Sequence, residues 1–200
     1  MSTKSHKIGI ILGSTRSPRV CPQIGTFITN TLTPLLPSSV EFSLIDISIN
    51  PLPMYDEPGI PSLIPESSGY THTHTQTWSH LISSHDAFIF ITPQYNWGYP
   101  ASLKNAIDYL VFEWRAKPTM IVSYGGYGGG KAASQLRQVL EGGLKMKVVE
   151  TMPALTFPDR DVLRQAFRGE ELALPKGAWE KEGEDVKRGF GEMLRLLGDS

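Results

Sequence analysis

Apolar runs without helical spacing alternate along this chain with segments whose apolar positions recur every three or four residues. The first run, Ile8-Gly9-Ile10-Ile11-Leu12, reads as a buried strand, and it breaks at Gly13 into hydroxyls and two arginines. Residues 20–32 read as a helix, with Ile24, Phe27, Ile28 and Leu32 along its apolar stripe. Residues 40–47 predict a second strand. A third, 87–92, is apolar almost throughout and stops at Pro93; a fourth includes 120–123 and a fifth 147–150. Further helices are predicted over 75–84, 101–114 and 131–141, the last closed by Gly142 and Gly143. Beyond Pro158 the chain turns polar and charged, with a final amphipathic helix predicted over 185–197.

Five strands alternating with helices imply an α/β protein whose parallel sheet is covered on both faces. A length of 200 residues suits a single domain. In the doubly wound order 2-1-3-4-5, ligands bind at the carboxyl edge between strands one and three, where the order reverses. The loops after strands one, three and four would all emerge at that edge.

Composition narrows the classes. Nineteen Lys and Arg against twenty Asp and Glu leave a net charge of −1, which gives no basis for a nucleic-acid surface or a polybasic anchor. A single cysteine, Cys21, excludes an intrachain disulfide and a four-cysteine metal site. No apolar run reaches the roughly 18 residues of a membrane span, and residues 1–7 lack the apolar core of a signal peptide. The expected compartment is reducing, most simply the cytoplasm.

The loop Gly13-Ser14-Thr15-Arg16-Ser17-Pro18-Arg19, between a strand and a helix, aims free backbone N–H groups and a positive helix end at an anion. Arg16 and Arg19 add charge, and Ser14 and Thr15 add hydroxyl donors. This reads as a phosphate cradle; the alternative is an ordinary turn with exposed arginines. In the second loop, Pro93 and Pro100 bracket a bend carrying Gln94, Tyr95, Asn96, Trp97 and Tyr99, whose amides and rings suit a planar heterocycle.

The third loop, residues 123–133, admits rival readings. Gly125 and Gly130-Lys131 have P-loop spacing, but Ala132 stands where a magnesium-binding hydroxyl is needed. Gly128, Gly130 and Ala133, with Glu150 downstream, fit a dinucleotide fingerprint, yet at the fourth strand rather than the first. The remaining reading is that the glycines let backbone pass close to a flat ligand ring. Cys21 reads as a packed thiol rather than a redox switch. His72, His74, His80 and His85 lack the carboxylate spacing of a metal site and read as surface or capping residues.

Gly13-Ser14-Thr15-Arg16-x-x-Arg19, Pro93-Gln94-Tyr95-Asn96-x-x-x-Pro100 with Leu103-Lys104-Asn105-Ala106-Ile107-Asp108, and Ser123-Tyr124-Gly125-Gly126 together resemble the NADPH-dependent FMN reductase family over residues 7–157. The resemblance implies a flavodoxin-like three-layer sandwich and an NAD(P)H oxidoreductase acting through FMN on a quinone, free flavin or similar acceptor. Ser14, Thr15, Arg16 and the segment Arg19, Val20, Cys21 would hold the FMN phosphate. Pro93, Gln94, Tyr95, Asn96 and Trp97 would line the ring and ribityl, and Ser123, Tyr124, Gly125, Gly126 and Gly128 would close the other side. Cys21-Pro22 departs from the small residues usual in the family, harmlessly for Pro22 in a first helical turn.

Because hydride transfer belongs to the cofactor, no side chain is assigned as an acid, base or nucleophile, and no metal is expected. One site used by NADPH or NADH and then by the acceptor implies ping-pong kinetics. The alternative is a flavodoxin-type electron carrier or a flavin-binding sensor; such carriers are usually strongly acidic, which a net charge of −1 does not match. The Pro-rich stretch around Tyr55-Asp56-Glu57 either overhangs the flavin, of its own or a neighbouring chain, or is a solvent loop. Apolar residues on more than one face of 101–114 suggest a homodimer interface, and the family's habit is a dimer or tetramer.

Overall fold

The computed structural model describes residues 5–49 and 51–198; of the polar N-terminal stretch, residues 1–4 lie outside these. In chain order the elements are β1 (His6–Leu12), α1 (Cys21–Leu32), β2 (Val40–Asp46), α2 (Thr73–Ser83), β3 (Ala87–Pro93), α3 (Ala101–Asp108), β4 (Pro118–Gly125), α4 (Gly130–Arg137), β5 (Lys147–Val148), β6 (Ala154–Thr156), α5 (Arg160–Arg168) and α6 (Glu180–Gly198). The sheet is parallel in the order β2-β1-β3-β4-β5. That is the expected flavodoxin-like order with its switch point between β1 and β3.

Strand β3 shows how one apolar run serves two cores. All seven of its residues are buried. Ile89 and Ile91 face a core shared with Ile24 and Ile28 of α1 and with Phe190 and Met193 of α6. Phe88 and Phe90 face the other core, shared with Trp78 of α2, Ile107 of α3 and Leu136 of α4. A strand with period two and both faces buried has no polar position left, which is why the run is continuous.

The structure departs from or adds to the sequence expectations at three places. The far edge of β4 is divided: β5 pairs with Pro118 and Thr119, and β6 with Ser123 to Gly125, so a short sixth strand joins the sheet. The final helix predicted over 185–197 is present and longer, Glu180–Gly198. Helix α6 packs against α1 and β4 with Val186, Phe190 and Met193 buried, and Gly189 permits the approach, since a Cβ there would stand 2.7 Å from Met120 Sδ. Helix α5 was missed because Asp159 caps it through Asp161 N and Val162 N while only Val162 and Ala166 are buried.

The predicted helix 101–114 is also shorter than expected. It ends at Asp108, and a 3₁₀ turn covers Phe112–Trp114. Its apolar surplus is consumed inside the chain: Leu103, Ile107, Tyr109, Leu110 and Trp114 are all at most 1% exposed. Most of the apolar surplus from which the dimer face was read therefore packs inside the chain's own core, while Val111 and Phe112 remain half-buried.

At the opposite, amino-terminal edge, His85 is buried, with Nδ1 2.7 Å from Leu81 O and Nε2 without a partner among the described residues. Burial, and then Lys7 and Lys117, push its pKa below the ordinary 6.5, partly offset by the Leu81 carbonyl and Asp86. The unfolded chain therefore takes up the proton first as pH falls. Stability is full above 6.5 and declines as pH drops from there toward the depressed folded value. Urea midpoints at pH 7.5 and 5.5 should differ in that direction, and His85→Gln should narrow the difference.

Candidate functional site

The first loop begins where β1 can accept no side chain. Gly13 N donates to Ile91 O at 2.8 Å, and a Cβ at Gly13 would stand 2.9 Å from that oxygen and from Leu103 Cδ2. Ser14 follows, fully buried, and its Oγ lies 2.7 Å from the Tyr95 hydroxyl of the second loop. Tyr124, at the end of β4, lies beside Ser14 and Cys21. Three turns distant in sequence thus meet beneath one residue. Burial of Tyr124, and then its neighbours Cys21 and Tyr95, raise its pKa, so this phenol stays neutral.

The two arginines of the first loop have different employment. Arg19 donates to Ser14 O at 2.9 Å and to both carboxylate oxygens of Asp46 at 3.0 and 2.6 Å, tying the loop to the end of β2. Asp46 also accepts from Ser48 N and Oγ. Burial opposes its ionisation, but Arg19 and Ser48 outweigh that and hold its pKa below the ordinary value. Arg16 is exposed and has no carboxylate partner among the described residues; its guanidinium lies 3.4 Å from the centroid of the Tyr95 ring. Helix α1 starts beside it with no side-chain cap and no acidic residue in its first turn, so its first N–H groups are unclaimed by a carboxylate or hydroxyl. Thr15 is exposed at the same rim.

Cys21 and Val20 are buried, so at this rim they offer backbone rather than side chain. Burial raises the Cys21 thiol to about 11, with Tyr124, Ser14 and Arg19 pulling the other way, and its Sγ lies 3.9 Å from Ile91 O. This is a packed neutral thiol.

The second loop turns through Tyr95-Asn96-Trp97-Gly98. Tyr95 N donates to Gly98 O at 2.8 Å and Gly98 N returns a bond to Tyr95 O at 3.0 Å, with φ +47 at Asn96 and +74 at Trp97. Positive φ at both central residues is the type I′ pattern. Asn adopts it readily, whereas Trp does so at a cost of roughly 1–2 kcal/mol. Pro93 is buried at the strand end, and Gln94 Oε1 accepts from Lys131 N of α4 at 3.1 Å.

In the third loop, Ser123 donates its Oγ to Gly128 O at 2.7 Å and so folds the loop rather than facing outward. Gly128 and Gly129 have φ +73 and +77, and a Cβ on Gly129 would lie 2.9 Å from Tyr124 O. The turn itself demands glycine at both positions. Gly125 and Gly126 are the half-exposed backbone of this loop.

The Pro-rich stretch is neither a free loop nor a loose flap. Asn105 accepts from Tyr55 N at 2.9 Å and donates to Pro53 O at 2.7 Å, and Tyr109 bonds Asp56 at 2.8 Å. Glu57 accepts from Thr71 N and His72 N, and His74 Nε2 lies 2.9 Å from Asp56 Oδ1, so these histidines and carboxylates fasten the stretch along α2 and α3. A cavity of about 1060 Å³ lies between this strap, β2, α2 and α3. It touches the first loop only at Thr15, beside Leu12 of β1 and Pro22 of α1, and neither Tyr95 nor Gly125 lines it.

Asp46, the Ser14–Tyr95 link and the Gln94–Lys131 bond escaped the sequence reading. Only Asp46 carried a signal: an acid between Ile45 and Ile47 at a strand end, opposite a loop rich in arginine.

An anion-ready first loop at the switch point of a flavodoxin-like sheet, flanked by a tight turn and a glycine loop, defines a nucleotide- or flavin-binding α/β protein. The chain belongs to the NADPH-dependent FMN reductase family, whose sequence model matches residues 6–157. It is 45% identical over 191 residues to an NAD(P)H-dependent FMN reductase of Schizosaccharomyces pombe, covering 96% of this chain and 90% of that one. It is 30% identical over 164 residues to a quinone reductase of Pseudomonas putida, covering 77% and 76%. Among solved structures, a flavoenzyme NAD(P)H:(acceptor) oxidoreductase of Paracoccus denitrificans aligns with a TM-score of 0.65 at 19% identity, over 96% of this chain and 98% of that one, and supports the fold.

Proposed function

We propose that the protein is an FMN-dependent NAD(P)H oxidoreductase that delivers electrons to a small-molecule acceptor, a quinone or free flavin. The observation that carries this reading is the meeting of the three loops at Ser14, beside an uncapped helix start and the unpaired Arg16. That donor set fits a phosphomonoester: two unit charges of a phosphate dianion meet one guanidinium, hydroxyls and oriented backbone amides. FMN, when bound, accepts a hydride from NAD(P)H and passes two electrons on. Ser14, Thr15 and Arg16, with the backbone at Val20 and Cys21, hold its phosphate; Arg19 keeps that loop in shape through Asp46. The backbone of Pro93 to Asn96 and of Gly125-Gly126 flanks its ring, with Tyr95 anchored to Ser14 at the junction. The chain's part is orientation and exclusion of water. Among the described residues the one carboxylate tied to the first loop, Asp46, is locked to Arg19 and holds no mobile proton.

Among the described residues no helix is long and apolar enough to cross a membrane; a cytoplasmic site suits the single buried thiol. Self-association belongs to the same reading, through a surface other than α3, since Leu44, Ile49, Met54 and Leu63 are all at least 60% exposed. A monomeric mass in light scattering would overturn that part.

Anaerobic addition of NADPH to the flavin-loaded protein should bleach the visible flavin absorbance, and a quinone should restore it. Parallel double-reciprocal lines are expected if both substrates use one place in turn. A flavin that NADPH leaves oxidised would overturn the assignment as an enzyme.

A further inference from the structure

Trp97 is out of keeping with its surroundings in two independent ways. Of the four tryptophans it alone faces solvent, at 66% exposure, against 8%, 0% and 5% for Trp78, Trp114 and Trp179. It also occupies the second central position of the type I′ turn, where glycine fits without strain, yet holds φ +74. Packing does not explain the ring, because it is mostly uncovered. Exposed, conformationally strained residues at a site rim point to a ligand role. What touches the ring is informative. Lys131 Nζ lies 5.6 Å from its centroid, within cation–π range, and has no carboxylate partner among the described residues. Gln135 Nε2 donates to Trp97 O at 3.3 Å, and Lys131 N to Gln94 Oε1 at 3.1 Å, so ring and ammonium are held together across the gap between the second loop and α4.

We propose that Trp97 and Lys131 form the docking point for the phosphate-bearing half of the pyridine dinucleotide, the indole stacking on its adenine and the ammonium neutralising its phosphates. This rests on the functional reading above and extends it to specificity. An open indole face beside an unpaired cation matches an aromatic base joined to phosphates. A quinone could stack on the ring and accept from the ammonium, but it carries no charge for that cation to neutralise, so the pair favours the dinucleotide over a quinone. The nicotinamide end goes to the flavin, which leaves the adenosine end for this outer rim.

The test uses the flavin-loaded protein and rapid-mixing reduction by NADPH. Trp97→Gly, which relaxes the turn while removing the ring, and Lys131→Gln should each raise the apparent NADPH dissociation constant about ten-fold. In Lys131→Gln, whose side chain lies outside the residues assigned to the flavin, the limiting rate of flavin reduction should change less than about two-fold, and the KM for a quinone should not move. Trp97→Phe should recover most of the affinity. In the unaltered protein, NADP⁺ should quench the solvent-exposed tryptophan emission, a signal absent from Trp97→Gly. Thermal melting should be equal or higher in Trp97→Gly, so a lost affinity cannot be ascribed to a collapsed turn. Unchanged NADPH affinity in Trp97→Gly, or a raised quinone KM in its place, overturns the proposal. Failure of NADPH to reduce the flavin of the unaltered protein is a separate outcome and overturns the functional reading beneath it.

Discussion

Replacing Arg16 by alanine is expected to weaken FMN binding roughly ten- to 150-fold, equivalent to about 1.5–3 kcal/mol for a charge-assisted hydrogen bond. The fold should hardly notice. Arg16 is exposed and lies on the Tyr95 ring, and such a contact is worth about 0.5–1 kcal/mol at an exposed site. Titration of the apo-protein with FMN, alongside a urea melt, separates the two effects. A large fall in stability with little change in FMN affinity would show that Arg16 is a structural residue and that the phosphate is held elsewhere.

Replacing Arg19 by methionine should do the opposite. The Arg19–Asp46 pair is mostly shielded from water, with side-chain exposures of 17% and 9%, and removing the cation leaves a half-buried carboxylate without its charged partner. The expected cost is about 3 kcal/mol, which in a chain of this size lowers the melting temperature by roughly 10 °C. Because Ser48 still donates twice to Asp46, the cost should fall at the lower end of what broken buried pairs show. Asp46→Asn combined with Arg19→Met should cost less than the sum of the two single changes. Additive effects would mean that the two groups do not depend on each other. Both variants should also lose FMN, through a misplaced loop.

These two arginines mark how far the sequence could be read. Both stand in one polar turn before a helix, and charge alone could not divide them. The division depends on Asp46, twenty-seven positions from Arg19 and brought beside it by the β1–β2 pairing. Strand order and the shared edge of the three loops were legible because β1, β3 and β4 are continuous apolar runs, which only a doubly covered sheet requires. The length of α3 was not legible. Tyr109, Leu110 and Trp114 continue an apolar pattern after the helix has ended, and their burial arises from tertiary packing against Phe88 and Phe90 rather than from helical period. Strand β6 and helix α5 were hidden for the converse reason: three paired residues and two buried ones leave too little periodicity to detect. The turn at Asn96-Trp97 was masked because its second residue is the opposite of the glycine that usually announces it.

The claim on which the rest depends is that the first loop is built for a flavin's phosphate. Comparing the affinity of the apo-protein for FMN and for riboflavin, which share a ring and differ by that phosphate, tests it most directly. Stoichiometric binding of FMN, about 100-fold tighter than riboflavin in the unaltered protein and only a few-fold tighter in Arg16→Ala, is expected from one or two charge-assisted contacts. Equal affinity for the two flavins, or no binding of either, would contradict it.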